Sequence, residues 1–362
     1  MALAKAVRRL PARMMVFGVL LGALAVSLVA QQTMRAKPPG ADYQGSAFTF
    51  NRIQEDIYHA VGTGKLAVGC NASIIINTDD VIVVDSHISP AAGWALVEEL
   101  KTITPKPIRY VVNTHFHFDH VHGNQVFPPD VEIIGHQFTR DAIVAGKSRS
   151  GRSYDAFIGG IPDQIAKLKG QIETTADAQE RIKLQEQLAV QENYKKATDA
   201  VTPVPPSVTM TETMTLYRGG REIRLLYLGR GHTGGDIVVF LPKERVLMTG
   251  DLLTAGTSYI GDGYPQEWIA TLDRVKALDF DVILPGHGQA FRGTEKIDYF
   301  QAYLKDFWAQ AEQLHKAGVS AGDAAKRMDM RSHAAHYPDI KNAGVFPHGV
   351  VRVYELLDGT GK

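Results

Sequence analysis

The sequence predicts a layered α/β fold, and three observations carry that reading. Short, β-branched apolar runs recur at 73–77, 81–85, 108–112, 237–241 and 281–284, as strands buried on both faces require. Segments with helical spacing alternate with them at 94–102, 138–145 and 268–278, the pattern of an α/β domain. Histidines and aspartates gather directly behind the apolar runs, where loops on a rigid scaffold commonly carry chemistry.

Residues 1–30 read as an export signal. Lys5, Arg8, Arg9 and Arg13 precede an uncharged, mostly apolar run at 14–30 that ends in Ser27-Leu28-Val29-Ala30, a small-residue cleavage pattern. This places the mature chain in the periplasm or outside the cell. The other reading is an uncleaved anchor tethering the protein to a membrane, for which the run is short. Lys+Arg and Asp+Glu each number 39 in the whole chain. Losing four basic residues with the signal leaves the mature protein mildly acidic, which argues against nucleic acid as a partner. Cys70 is the only cysteine, so no internal disulfide forms, and it reads as a small buried hydrophobe.

Residues 31–46, with Pro38, Pro39 and Gly40, suit a flexible leader. Phe48, Phe50 and Ile53 mark a first strand and 57–61 a second, while 61–65 reads as a turn because no helix pattern follows it. Thr78-Asp79-Asp80 joins two strands as a hairpin, and Pro90 opens the helix at 94–102. Residues 149–206 break the rhythm. Ile165, Leu168 and Ile172 predict one amphipathic helix, Ile182, Leu184 and Leu188 a second, with 174–177 as a capping box between them. This inserted helical hairpin reads equally as a lid, a homodimerisation arm or a solvated excursion. Strands resume at 213–217, 222–228, 237–241 and 245–249. A long helix at 297–314 begins a C-terminal helical extension, 293–362, whose role is not legible.

The stretch 113–124, N-T-H-F-H-F-D-H-V-H-G-N, places His115, His117, Asp119, His120 and His122 within eight residues. Neutral imidazole and carboxylate are ligands for zinc and similar borderline metals, and so dense a cluster reads as a metal site. His232, Asp251 and His287 each follow a later apolar strand and stand beside glycine. Side chains at strand ends along one sheet edge can meet in a common cleft.

With these motifs the chain resembles the metallo-β-lactamase superfamily, whose hallmark is a His-x-His-x-Asp-His loop followed by later His, Asp and His ligands. The resemblance covers about 47–292, with 149–206 as the insertion. It implies an αββα sandwich and a dinuclear site of two Zn²⁺, with iron or manganese as alternatives. Carried over by motif, His115, His117 and His232 would hold one metal, and Asp119, His120 and His287 the other, with Asp251 bridging. Asp119 would also be the catalytic residue. Asp85 resembles the family's supporting aspartate, and His122 would line the pocket or hold a ligand residue. Tyr259, Tyr264 and Trp268 are candidates for the cleft or the core, while His333, His336 and His348 read as solvated.

The resemblance implies a hydrolase in which a metal-bridging hydroxide cleaves a carbonyl-centred bond, with a β-lactam or lactone as substrate. The best-known lactamase subclass has cysteine where this chain has Asp251, and a carboxylate-binding lysine where it has Thr254. A glyoxalase II-like thioesterase, a mononuclear-iron oxidoreductase of the persulfide dioxygenase type and a non-catalytic metal-binding protein are the alternatives.

Overall fold

The computed structural model describes residues 36–361. The export signal expected at 1–30 lies outside them. Residues 36–361 belong to one compact unit, and none of its helices is long and apolar enough to cross a membrane.

Two sheets face each other. The first is seven-stranded, running in order β1 (Phe48–Gln54), β2 (Ile57–Gly62), β3 (Ala72–Ile76), β4 (Val81–Val84), β5 (Ile108–Val112), β6 (Glu132–His136) and β7 (Val208–Met210). The second contains β8 (Thr213–Arg218), β9 (Arg221–Tyr227), β10 (Ile237–Leu241), β11 (Val246–Gly250), β12 (Val282–Pro285) and β13 (Phe291–Arg292), paired in that order. Strands β4 to β7 run parallel, as do β11 and β12; the other pairs are antiparallel.

Alternation along each strand builds three apolar layers. Ile75, Ile82, Val112, Leu225, Ile237 and Val239 fill the space between the sheets. From the same strands, Ile74, Ile76 and Val83 point to the opposite face and pack on Ala92, Ala95 and Leu96 of α1 (Pro90–Leu100). Val238 and Phe240 likewise point outward, onto Trp268 and Leu272 of α7 (Pro265–Lys276) and Phe300 and Leu304 of α8 (Glu295–Lys316). Residues one apart in a strand face opposite sides, so runs apolar throughout belong to strands covered on both faces. The layers are helix, sheet, sheet, helix, the expected αββα sandwich.

Between α1 and α7 the chain forms α2 (Phe118–Val121) and α3 (Gln137–Val144), then the insertion. The insertion is more than a hairpin: a short α4 (Arg152–Ile158) precedes the pair α5 (Ile161–Thr174) and α6 (Ala178–Asp199). The capping box is corrected as well. Asp177 caps α6, accepting from the N–H groups of Gln179 and Glu180, while Thr174 is the last residue of α5 and donates back to Gly170 O. The C-terminal extension adds α9 (Ala321–Arg327) and α10 (Pro347–Leu357), whose Ala324, Val350 and Val353 join the outer layer over the second sheet. The extension is thus part of the same core.

Candidate metal centre

The seven side chains singled out in the sequence meet at one edge of the sandwich. His115 and His117 follow β5, and Asp119 and His120 lie in α2 just beyond. His232 follows β9, Asp251 follows β11 and His287 follows β12. Each sits where a strand leaves its sheet, so separations of up to 172 positions in sequence collapse to a few ångströms.

Two triads emerge, His115 with His117 and His232, and Asp119 with His120 and His287; within each, one ligand atom per residue lies within 4.8 Å of the others. Asp251 stands between them. Its Oδ1 is 3.4 Å from His120 Nε2, and its Oδ2 is 3.2 Å from His287 Nε2 and 3.7 Å from His232 Nε2. His232 Nε2 is 2.8 Å from His117 Nδ1, and His287 Nε2 is 3.1 Å from Asp119 Oδ2.

The nitrogens facing away from this centre are tied to the protein. His120 Nδ1 is 2.8 Å from Asp85 Oδ2, His117 Nε2 is 3.1 Å from Asp262 Oδ2, and His232 Nδ1 is 2.9 Å from the Tyr259 carbonyl oxygen. His115 Nδ1 is 3.0 Å from Thr114 Oγ1. Such outer partners fix the tautomer and the ring orientation of a metal-ligating histidine. Among the described residues, the inward atoms His115 Nε2, His120 Nε2 and Asp251 Oδ1 find no hydrogen-bond partner although they are buried. An orphaned buried polar atom is costly, and several aimed at one point fit a cation. The donor set, imidazole and carboxylate, suits zinc and neighbouring metals.

Burial and then the neighbouring His120, His232 and His117 hold His115 well below the usual histidine range. His232 is pushed down to about 3, by burial and then by His117. Both are therefore neutral, as ligation demands. Burial opposes charge on His287, but Asp251 and Asp119 outweigh it and raise this residue to about 10. Burial likewise opposes charge on His120, but Cys70 and then Asp119, Asp251 and Asp85 outweigh it and raise this residue. Burial works against ionising Asp251, yet His287 and His120 hold it well below the ordinary carboxylate value. A divalent cation would displace the protons that His120 and His287 keep.

Asp85 is the centre's main support. It is buried, takes φ 65° and accepts from Thr114 N, Thr114 Oγ1 and His120, all at 2.8 Å. A non-glycine residue in the left-handed region is strained and marks a functional constraint. Glycine is needed at 286, where a Cβ would run into Asp251 Oδ1. Asn71 pins the same turn, its N–H donating to Gly286 O at 2.7 Å and its side chain to Pro285 O and Gly288 O.

Several expectations change. His122 is buried against Phe118 and Tyr154, 6.1 Å from each ring, and bonds to none of the seven. His348 is not simply solvated: its Nδ1 lies 3.1 Å from Tyr259 Oη, because the C-terminal extension folds back to the site. His333 pairs with Asp306 and His336 stacks on Tyr299. Tyr259 lines the cleft. Trp268 is core and donates to Leu252 O, and Tyr264 is buried beside Arg230 and Arg352. Cys70 is buried as expected, and burial pushes its thiol up to about 12.

The cleft over the seven residues has a volume of about 410 Å³ and is bounded by Ile88, Phe118, Phe157, Tyr194 and Tyr259, with hydroxyls from Ser153, Thr254 and Ser258. Among the described residues, no lysine or arginine lines it. Ser153, Phe157 and Tyr194 come from the insertion, so that segment is a wall of the site. Neither they nor Asp262 is prominent in the sequence; the isolated Asp262 between Gly261 and Gly263 was the one available signal.

The profile of the metallo-beta-lactamase superfamily matches residues 67–287, and the chain belongs to that superfamily of metal-binding hydrolases. It is 24% identical over 303 residues to the linear primary-alkylsulfatase of Pseudomonas sp. (strain ATCC 19151), covering 76% of this chain and 53% of that protein. It is 33% identical over 111 residues to the metallo-beta-lactamase type 2 of Bacteroides fragilis, covering 29% of this chain and 44% of that protein. The chain thus spans about half the length of these curated relatives. Among solved structures, a double mutant of the sec-alkyl sulfatase PisA1 superposes with TM-score 0.60 at 16% identity, covering 86% of this chain and 50% of that one. At that identity the likeness is one of fold.

Proposed function

We propose that this protein is a dinuclear metal-dependent hydrolase that cleaves an uncharged ester or lactone. The observation that carries the reading is the pair of triads with Asp251 between them. His115, His117 and His232 would hold one metal and Asp119, His120 and His287 the other, with zinc the ion the donor set suits best. Metals held there lower the pKa of water and polarise a carbonyl oxygen.

The residues of the chain account for the rest. Hydrolysis needs a bond from a water oxygen to the carbonyl carbon, cleavage of the carbon–oxygen bond and a proton for the leaving oxygen. Asp119 lies on the cleft wall, with its carboxylate held ionised against burial by His120 and His287. It accepts the water's proton and passes it to the leaving group. Phe118 shields the centre from solvent, and Phe157 and Tyr259 hold the acyl part beside it. A cleft that takes no lysine or arginine from the described residues favours an uncharged acyl group over a β-lactam, whose carboxylate calls for a charge-assisted contact of about 1.5–3 kcal/mol. Thr254 supplies none: its hydroxyl is buried and donates to Gly256 O.

A second reading, hydrolysis of an alkyl sulfate, is favoured by the relative aligning over 76% of this chain, which is called a linear primary-alkylsulfatase. The test is a panel of chromogenic lactone, ester, thioester, cephalosporin and alkyl sulfate on zinc-loaded protein, with oxygen uptake followed in parallel. Turnover of ester or lactone, lost in His117→Ala, with two zinc per chain, supports the proposal. Undiminished activity in His117→Ala, or oxygen consumption with one iron per chain, removes it. The signal-like N-terminus supports a periplasmic or secreted location, which fractionation of expressing cells tests.

A further inference from the structure

A second cavity of about 610 Å³ adjoins the cleft, and Phe157, Thr257, Ser258 and Tyr259 line both. Its remaining apolar walls are Ile260 and, from the C-terminal extension, Tyr303, Phe307, Met330, Ile340, Ala343, Val345 and Phe346, with the exposed Asp339 and Lys341 also on its lining. None of those from the extension belongs to the family-matched segment.

The rings between the two cavities form a continuous path. Phe118, beside His117 and Asp119, lies 6.2 Å from Phe157 between centroids; Phe157 is 6.3 Å from Tyr259 and 6.5 Å from Phe346, and Tyr259 is 6.0 Å from Phe346. Phe157 and Phe346 are 53% and 51% exposed. Only five large hydrophobic side chains among the described residues are this open, and these two line one cavity. Exposed aromatic surface in a concavity next to a reactive site marks ligand binding. Tyr259 also accepts from His232 through its carbonyl, so one residue borders both the reacting centre and this cavity.

We infer that the C-terminal cavity is the subsite for an extended apolar chain of the substrate, which runs from the metal centre across Phe157 and Tyr259 to Phe346. This deepens the proposed hydrolase reading and rests on it for the position of the reacting group. The substrate class is then a medium- or long-chain acyl ester or lactone rather than a compact one. Burying successive methylenes strengthens binding by about threefold each, so on the order of a hundredfold separates a four-carbon from an eight-carbon chain.

The test separates the subsite from the chemistry. Butan-1-ol and octan-1-ol, neither of which can be hydrolysed, are titrated calorimetrically into zinc-loaded protein. Butanoyl and octanoyl p-nitrophenyl esters are assayed alongside. Octanol is expected to bind on the order of a hundredfold more tightly than butanol. Phe346→Asp and the cavity-filling Ala343→Trp should each abolish that preference and raise KM for the octanoyl ester alone, while Tyr217→Asp, on an exposed site remote from both cavities, should change neither. Equal affinity for the two alcohols in the unaltered protein, or a chain-length preference surviving both cavity variants, overturns the subsite. Selective octanol binding without ester turnover would leave the subsite standing and remove the hydrolase reading instead.

Discussion

The Asp262 carboxylate lies 3.1 Å from His117 Nε2, across 145 positions of chain, and thereby turns His117 Nδ1 towards His232. Asp262→Asn keeps the shape and removes the charge. Metal affinity should fall by about tenfold to a hundredfold, read by competition with a chromogenic chelator. Unchanged affinity would show that the contact does not orient a ligand.

Asp85 gathers Thr114 and His120 through three buried hydrogen bonds. Asp85→Ala leaves those donors unpaired, and the protein should lose on the order of 3 kcal/mol, read as a lower urea midpoint at constant m. Asp85→Asn tolerates the left-handed backbone and should recover part of that loss.

Stability should fall in acid through His87. This histidine is fully buried, its Nε2 has no partner, and burial pushes its pKa down to about 3 from 6.5. A depressed pKa contributes stability that is present above 6.5 and drains away as pH falls towards 3, at about 1.4 kcal/mol per pH unit. His87→Asn suits the positive φ of this position and should flatten the dependence in denaturation measured from pH 7 to 4. A profile as steep as the parent's would rule His87 out as the source.

Trp268 is fully buried, donates to Leu252 O at 2.9 Å and meets His232 edge-on at 5.6 Å. Trp268→Phe leaves a void and an unpaired carbonyl, and should cost about 1–3 kcal/mol. Because the ring backs His232, weaker retention of an added divalent metal should accompany the lower midpoint.

Much of this was readable in advance, because both-face burial and strand-end histidines leave marks in a linear string. Runs such as Ile237–Leu241 announce a covered strand, and His115 to His120 announce a metal loop. What stayed hidden depends on contacts between distant segments. Nothing local in Tyr194 or Phe157 says that the insertion turns back over α2, and β7 and β13 are too short to show a period. Asp262 and Asn71 act through single hydrogen bonds, which no hydrophobic pattern encodes. His348 looked solvated because the packing of its helix is decided by Val350 and Val353 meeting the second sheet's outer layer.

Arg352 of α10 donates to Gly263 O at 2.7 Å, one residue beyond Asp262. A chain trimmed to the family-matched segment would keep all seven candidate ligands but lose the strut beneath the turn that steers His117. The C-terminal extension therefore braces the site it folds over, and transplanting the motif loop without it would carry over the loop's histidines but not this support for their alignment.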